Sequence, residues 1–220
     1  MDKQLKFKNV LESAKTALDS INIPFHLQAG TALGAHREGK FIQHDHDIDL
    51  GIFAKDVPNI KIVYKILSAM KKEGFKIGKK LGKLKRGYEI KFKKKGVPLD
   101  IFLIYPGTYR GTSYYINGTH YGLCDKLKFR VCIWGRRPFK VQNIVFFGKK
   151  YKIIPQQTLE DIYGKDWKTP KKFNYFEGLA GGYKGLLTDY YNPRSINRPK
   201  IAFCFLLYDR VVNNNMWIKF

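Results

Sequence analysis

Residues 3 to 20 place Phe7, Val10, Leu11, Ala14 and Leu18 at three- and four-residue intervals, with lysines between them. That spacing lays one apolar stripe along a helix, so the first element is an amphipathic helix with its lysines outside. After Pro24 the period changes. Phe25 to Ala29 reads as a short strand broken at Gly30-Thr31, and Thr31 is placed to cap a short helix whose N-terminal amides face a phosphate. An ordinary strand-to-helix turn fits the same pair. Residues 40–46 read as a loop and Ile48 to Phe53 as the second strand. The helical period returns over 58–72, with Ile62, Ile66, Leu67 and Met70 on one stripe. Three short β runs follow: Phe75 to Gly78, Tyr88 to Phe92 and Leu99 to Tyr105. Tyr88, Ile90 and Phe92 alternate with Glu89 and Lys91, as in a half-buried strand. Gly96 and Pro98 mark the turn into the last run.

Residues 106–122 are rich in Gly, Tyr and Thr and carry no period, so they read as a long functional loop. Its tyrosines either stack on a base or sugar or pack the loop down. Ile144 to Phe147, Gly148 and Tyr151 to Ile154 then form a hairpin. A helix starts at Gln156, after Pro155, and ends at Tyr163-Gly164. Lys200 to Val212 fits a packed helix. The order predicts an α/β (α+β) fold, a small mixed sheet backed by helices 3–20 and 58–72.

Composition narrows the class. A chain of 220 residues with 44% hydrophobic and 15% aromatic content has enough apolar surface for a real core, which excludes a disordered basic tail. The 41 Lys and Arg against 18 Asp and Glu give a formal charge of +23. Such a field favours an anionic partner: a nucleotide, a phosphorylated glycan, nucleic acid or a membrane surface. Much of it sits in residues 71–95, a run that reads either as a solvated face or as an approach surface for an anionic substrate. Cys124, Cys132 and Cys204 have no metal-type spacing and read as reduced, mostly buried thiols. The first residues lack the apolar stretch of a signal peptide, and no apolar run is long enough to span a bilayer. The expectation is a soluble, cytoplasmic protein in which the Asn117-Gly118-Thr119 sequon goes unused.

Asp45, Asp47 and Asp49 stand at every second position, and the chemistry concentrates at the last two. On a strand, Asp47 and Asp49 project from one face while Ile48 and Leu50 enter the core on the other. Two carboxylates held that close repel, and a hard cation such as Mg²⁺ offsets the repulsion while binding substrate phosphates. His46 and His44 fall on the opposite face by the same alternation, which argues against a His/Asp metal site. Asp100 is one acid inside the apolar run 97–104. A buried Asp needs a cation, an ion pair or a cap to offset its desolvation.

Gly30, Thr31, Leu33, Gly34 and Arg37, followed without a gap by Asp45, Asp47, Ile48 and Asp49, resemble the LicD/fukutin-related family. That family is a branch of the nucleotidyltransferase superfamily with a polymerase-β-like fold. Its GTLLGxxR segment leads into aspartates ending in DxD. The chain departs from the pattern at His46, where an aspartate is usual, and at Gln43-His44, where Pro-Trp is common. A second patch resembles the same family: the hairpin, Pro155, the helix, Tyr163-Gly164, then Asp166, Trp167 and Pro170. The two patches bracket residues 25–170, which implies a catalytic domain over 1–170 and a C-terminal extension over 171–220.

The resemblance implies transfer of a phosphorylated alcohol, choline- or ribitol-linked, from a CDP-activated donor to a glycan hydroxyl. It implies Mg²⁺ or Mn²⁺ on Asp47 and Asp49, with Asp100 as third ligand, general base or both. Gly30 and Thr31 would let backbone amides approach phosphate, and Arg37 is either a second phosphate clamp or a salt-bridge partner of Glu38. Two alternatives stay open. Nucleotidyl transfer to a small molecule, protein or RNA uses the same carboxylates. A catalytically inactive nucleic-acid-binding protein suits the charge, but carboxylates facing a phosphate backbone repel it, and no zinc-finger or RNA-binding aromatic motif is present.

Overall fold

The computed structural model describes residues 2–109, 112–120 and 131–171. Helix α1, Lys3–Asp19, starts at an Asp2 cap whose side chain accepts from the Gln4 amide. It buries Phe7, Val10, Leu11, Ala14, Ala17 and Leu18, the stripe expected from the spacing. Strand β1, His26–Leu27, leads directly into α2, Ala29–Glu38. Strand β2 is Ile48–Phe53. Helix α3, Ile60–Lys72, is capped by Asn59, whose side chain accepts from the Lys61 and Ile62 amides. Strands β3 (Lys76–Lys83), β4 (Arg86–Lys94), β5 (Val97–Tyr109), β6 (Thr112–His120) and β7 (Val131–Arg136) follow. The hairpin β8 (Gln142–Phe146) and β9 (Lys149–Ile153) then leads into α4, Gln156–Tyr163.

The main sheet runs β3-β4-β5-β2-β1-β9-β8. It is mixed: β2 with β5 and β1 with β9 are parallel, and the other pairs are antiparallel. Ile48, Leu50 and Ile52 of β2 lie opposite Leu99, Ile101 and Leu103 of β5, all almost fully buried. These residues meet Ile90 and Phe92 of β4, the α1 stripe, and Val63, Ile66 and Met70 of α3 in one core. Each such aliphatic side chain contributes about 1.5–3 kcal/mol on burial. The period-two pattern therefore decides the other face as well. Asp49, Gly51 and Phe53 must point away from the core, beside Asp100, Phe102 and Ile104 of β5.

The structure corrects the reading of 106–122 as a loop. Residues 97–109 are one strand, β5, which pairs with β4 through Phe102 and with β2 through Ile104, and then with β6 from Tyr105 on. The Tyr- and Thr-rich sequence is strong β-forming material, and Pro106 is tolerated where the strand has only one partner. Strand β7 was not legible in the pattern at all. The helix over 200–212, the rest of the 171–220 extension beyond Lys171, and the thiols of Cys124 and Cys204 lie outside the described residues, as does the side chain of Cys132. Among the described residues, no helix is long and apolar enough to cross a membrane.

Candidate active site

Asp49 is held from three directions. The Gln28 amide donates to its carbonyl at 3.2 Å, its own amide donates to Thr31 Oγ1 at 2.9 Å, and the Gly30 amide donates to its Oδ2 at 3.2 Å. Thr31 therefore does not cap α2. The helix begins two residues earlier, and Ala29, at φ 45°, makes the turn out of β1 that aims the Gly30 amide at the carboxylate. A Cβ on Gly30 would sit 2.2 Å from Asp45 Oδ2 and 3.4 Å from Asp49 Oδ2. Only a glycine lets the acids approach this close.

Asp45 and Asp47 lie in the loop before β2, so strand alternation governs only Asp49 onward. The three acids still converge: each offers an oxygen, and these oxygens lie within 4.8 Å of one another. The loop is held by α1. Lys3 Nζ donates to the carbonyls of Ile42 (2.9 Å), Gln43 (2.7 Å) and Asp45. Gln4 clasps Phe41 through both backbone groups, at 2.8 and 2.9 Å. His46 is exposed, and its amide donates to Asp45 Oδ1.

Asp100 sits directly across from Asp49 on the parallel neighbour β5. It also lies across from Lys91 on β4, whose Nζ donates to Asp100 Oδ2 at 2.5 Å and lies 2.6 Å from Glu89 Oε1. In the sequence pattern Lys91 is one member of a basic run and Glu89 the polar half of an alternation. The strand register turns both toward the site. The rest of the run divides: Lys79, Lys80, Lys83 and Lys85 are exposed on the β3–β4 edge, while Lys94 turns inward to Ser13 and the Glu73 carbonyl.

The electrostatics follow from this crowding. Burial, with Asp45 beside it, pushes the Asp47 carboxyl up to about 7. Burial, then Asp47, Asp45 and Asp100, raises Asp49 well above the carboxylate range, against the Gly30 hydrogen bond. Burial also raises Asp100, opposed by Lys91. Burial pushes Glu89 up to about 7. Burial alone would lower Lys91, but Glu89 and Asp100 outweigh it and the ammonium is held above its usual range. Arg136, at the end of β7, is buried. Desolvation draws its guanidinium down to about 10, while Tyr163, Asp49 and Asp161 favour its charge. It is a fixed positive group within electrostatic reach of Asp49 that no sequence period indicated.

Two predicted groups behave differently. Arg37 is in the last turn of α2, and its guanidinium forks onto Glu38 at 2.6 and 2.9 Å. A phosphate contact would require that pair to open. The second motif patch serves the helix rather than the acids: buried Trp167 meets the His36 ring edge-on at 6.4 Å, and His36 Nε2 bonds the Ile154 carbonyl at 2.8 Å. This braces α2, which carries Gly30.

Converging carboxylates with oxygen-only donors fit a hard divalent cation of the Mg²⁺ or Mn²⁺ kind. Carboxylates on adjacent strands of a mixed sheet, under a short helix entered through Gly30, define a nucleotidyltransferase-type domain. Residues 22–153 match the LicD/FKTN/FKRP nucleotidyltransferase domain, and the chain belongs to this family. Ribitol-5-phosphate transferase FKTN of Macaca fascicularis and that of Homo sapiens are each 32% identical to it over 169 residues, which is 75% of this chain and 34% of theirs. The protein T07A5.1 of Caenorhabditis elegans is 33% identical over 178 residues, covering 76% of this chain and 45% of its own. The chain thus spans about a third of the length of the fukutin relatives. Among solved structures, the lincosamide adenylyltransferase LnuA bound to lincomycin aligns with a TM-score of 0.44 and 14% identity, over 78% of this chain and 95% of its own. The resistance factor ANT(2'')-Ia aligns at 0.48 and 11%, over 80% and 82%.

Proposed function

We propose that this chain moves a phosphorylated alcohol of the ribitol-phosphate or phosphocholine kind from a CDP-activated donor to a glycan hydroxyl, with Mg²⁺ or Mn²⁺ at Asp47 and Asp49. The observation that carries this reading is the register of β2 and β5, which sets Asp100 opposite Asp49 beside Asp45 and Asp47. Relatives named as ribitol-5-phosphate transferases support the choice of transferred group. The catalytic unit is assigned to residues 1–170, with 171–220 as an extension of it.

In the reaction, the acceptor oxygen bonds to the phosphorus that bears the alcohol, and the bond from that phosphorus to the bridging oxygen breaks. CMP leaves with the electron pair, and the hydroxyl proton passes to a carboxylate. Asp100 is the residue placed for that proton or for a ligand role, since it stands beside the acids and is held by Lys91. Asp47 and Asp49, with Asp45, would hold the cation, and the Gly30 amide orients Asp49 for it. When bound, the cation supplies positive charge to the diphosphate and to the departing CMP. The exposed lysines of β3–β4 raise the local concentration of the anionic donor.

The test is a panel of CDP-alcohols and nucleoside triphosphates incubated with glycan acceptors and Mg²⁺ or Mn²⁺. Release of CMP with labelled alcohol phosphate on the glycan is the expected result. Pyrophosphate release from a triphosphate would reassign the chain to nucleotidyl transfer. No turnover of any donor, alongside strong salt-sensitive binding to nucleic acid, would move it to the binding class.

A further inference from the structure

Lys91 has an unusual position for a lysine in a metal-type site. Glu89 and Lys91 are alternate residues of β4 and share a face, and Asp100 is the cross-strand partner of Lys91. The ammonium is bracketed by the two carboxylates, at 2.6 and 2.5 Å. Glu89 is wholly buried, at 0% exposure. A carboxylate that deep persists only with a charged partner beside it. Asp45, Asp47 and Asp49 gather within reach of a single ion, and Asp100 is not part of that group. Its Oδ2 is already taken by Lys91. Paired-metal phosphoryl-transfer sites set a second divalent ion beside the first, bridged by shared carboxylates. Here a side-chain cation stands beside that place.

We propose that Lys91 is a positioning residue that replaces a second divalent cation. It bridges Asp100 and Glu89, withholds Asp100 from metal binding, and leaves the site with capacity for one ion, on Asp45, Asp47 and Asp49. Glu89 is the buried anchor that keeps the ammonium in place. The inference rests on the metal reading above and adds its stoichiometry.

The experiment is Mn²⁺ titration of the metal-free protein, counting bound ions per chain by the loss of the free-ion EPR signal, with no substrate and no activity readout. The wild-type protein is expected to bind one Mn²⁺ at saturation, and Lys91→Arg, which keeps the charge, also one. Lys91→Met frees Asp100 and is expected to bind two. Because that variant leaves Glu89 buried without its partner and risks misfolding, Glu89→Gln/Lys91→Met is measured beside it and is expected to bind two as well. Two ions on the wild-type protein, or one ion on both Lys91→Met variants when they melt cooperatively, would overturn the proposal. No bound Mn²⁺ on the wild-type protein would instead remove the metal reading itself, and this inference with it.

Discussion

Asp47→Asn should make the metal-free protein more stable while destroying its reaction. Asp47 titrates near 7 in the folded chain, against an ordinary value of 3.8, because burial and Asp45 disfavour its charge. A carboxyl raised on folding binds its proton more tightly in the folded state than in the unfolded one. The penalty is therefore absent below pH 4, grows as pH rises toward 7, and is complete above it. A rise of this size corresponds to about 4 kcal/mol at pH 8. Asparagine removes the charge but still buries a polar group, so it should recover roughly half, about 2 kcal/mol. For a domain of this length that is about 4–8 °C in Tm. The assay is thermal melting in EDTA from pH 4 to 8, repeated with Mn²⁺, beside transfer activity at saturating donor. In EDTA the Asn variant should melt above the wild-type protein at pH 8, and the gap should close by pH 4. Mn²⁺ should raise the wild-type Tm more than that of the variant. Transfer should fall a hundredfold or more, a loss of at least ~3 kcal/mol of transition-state stabilisation. A variant that melts below the wild-type protein at pH 8 without metal would refute the argument from burial and the Asp45 charge. Full transfer by a folded variant would refute the proposed site.

Gly30→Ala would drive a methyl into Asp45 Oδ2, so it should weaken Mn²⁺ binding at least tenfold with little change in far-UV circular dichroism; unchanged affinity would show that the approach of α2 is not needed. Gly51→Ala meets His26 Nε2 at 2.3 Å and Gln28 Oε1 at 2.7 Å, both buried, and should cost about 1–3 kcal/mol in urea unfolding. Replacing Lys79, Lys80, Lys83 and Lys85 together with Gln should raise the donor KM at low salt, with the difference fading by about 0.5 M salt and kcat nearly unchanged; a collapse in kcat would make one of these lysines part of the chemistry.

Much of this arrangement was legible from residue order. The Ile48–Leu50 alternation and the solitary Asp100 in an apolar run marked two strands whose acids must leave the core, while their adjacency as β2 and β5 is seen only in the structure. The α1 stripe, the β8–β9 hairpin and α4 followed from period and punctuation. What escaped was set by contacts distant in sequence. Asp45 joins the acids from a loop, where no period applies. Lys91 looked like one lysine among many, since only the β4–β5 register tells it from Lys93. The tyrosine-rich stretch hid two strands because glycine and proline interrupt its alternation. Arg136 gave no signal before α4 was known to lie near it.

The hold of Lys3 and Gln4 on residues 41–45 has a bearing on how the protein comes to life after synthesis. The loop carrying Asp45 closes one turn of its own, from the Asp45 amide to the Ile42 carbonyl, and is tied down by the first turn of α1, some forty positions earlier in the chain. The place of Asp45 among the acids therefore depends on α1 being docked, so competence for metal should follow that docking rather than the formation of β2 itself. The same tie makes the first turn of α1 a remote control. Fraying there would let the Asp45 amide exchange its hydrogen and scatter the acids while every strand stays intact, a loss of function that a melting curve would scarcely register.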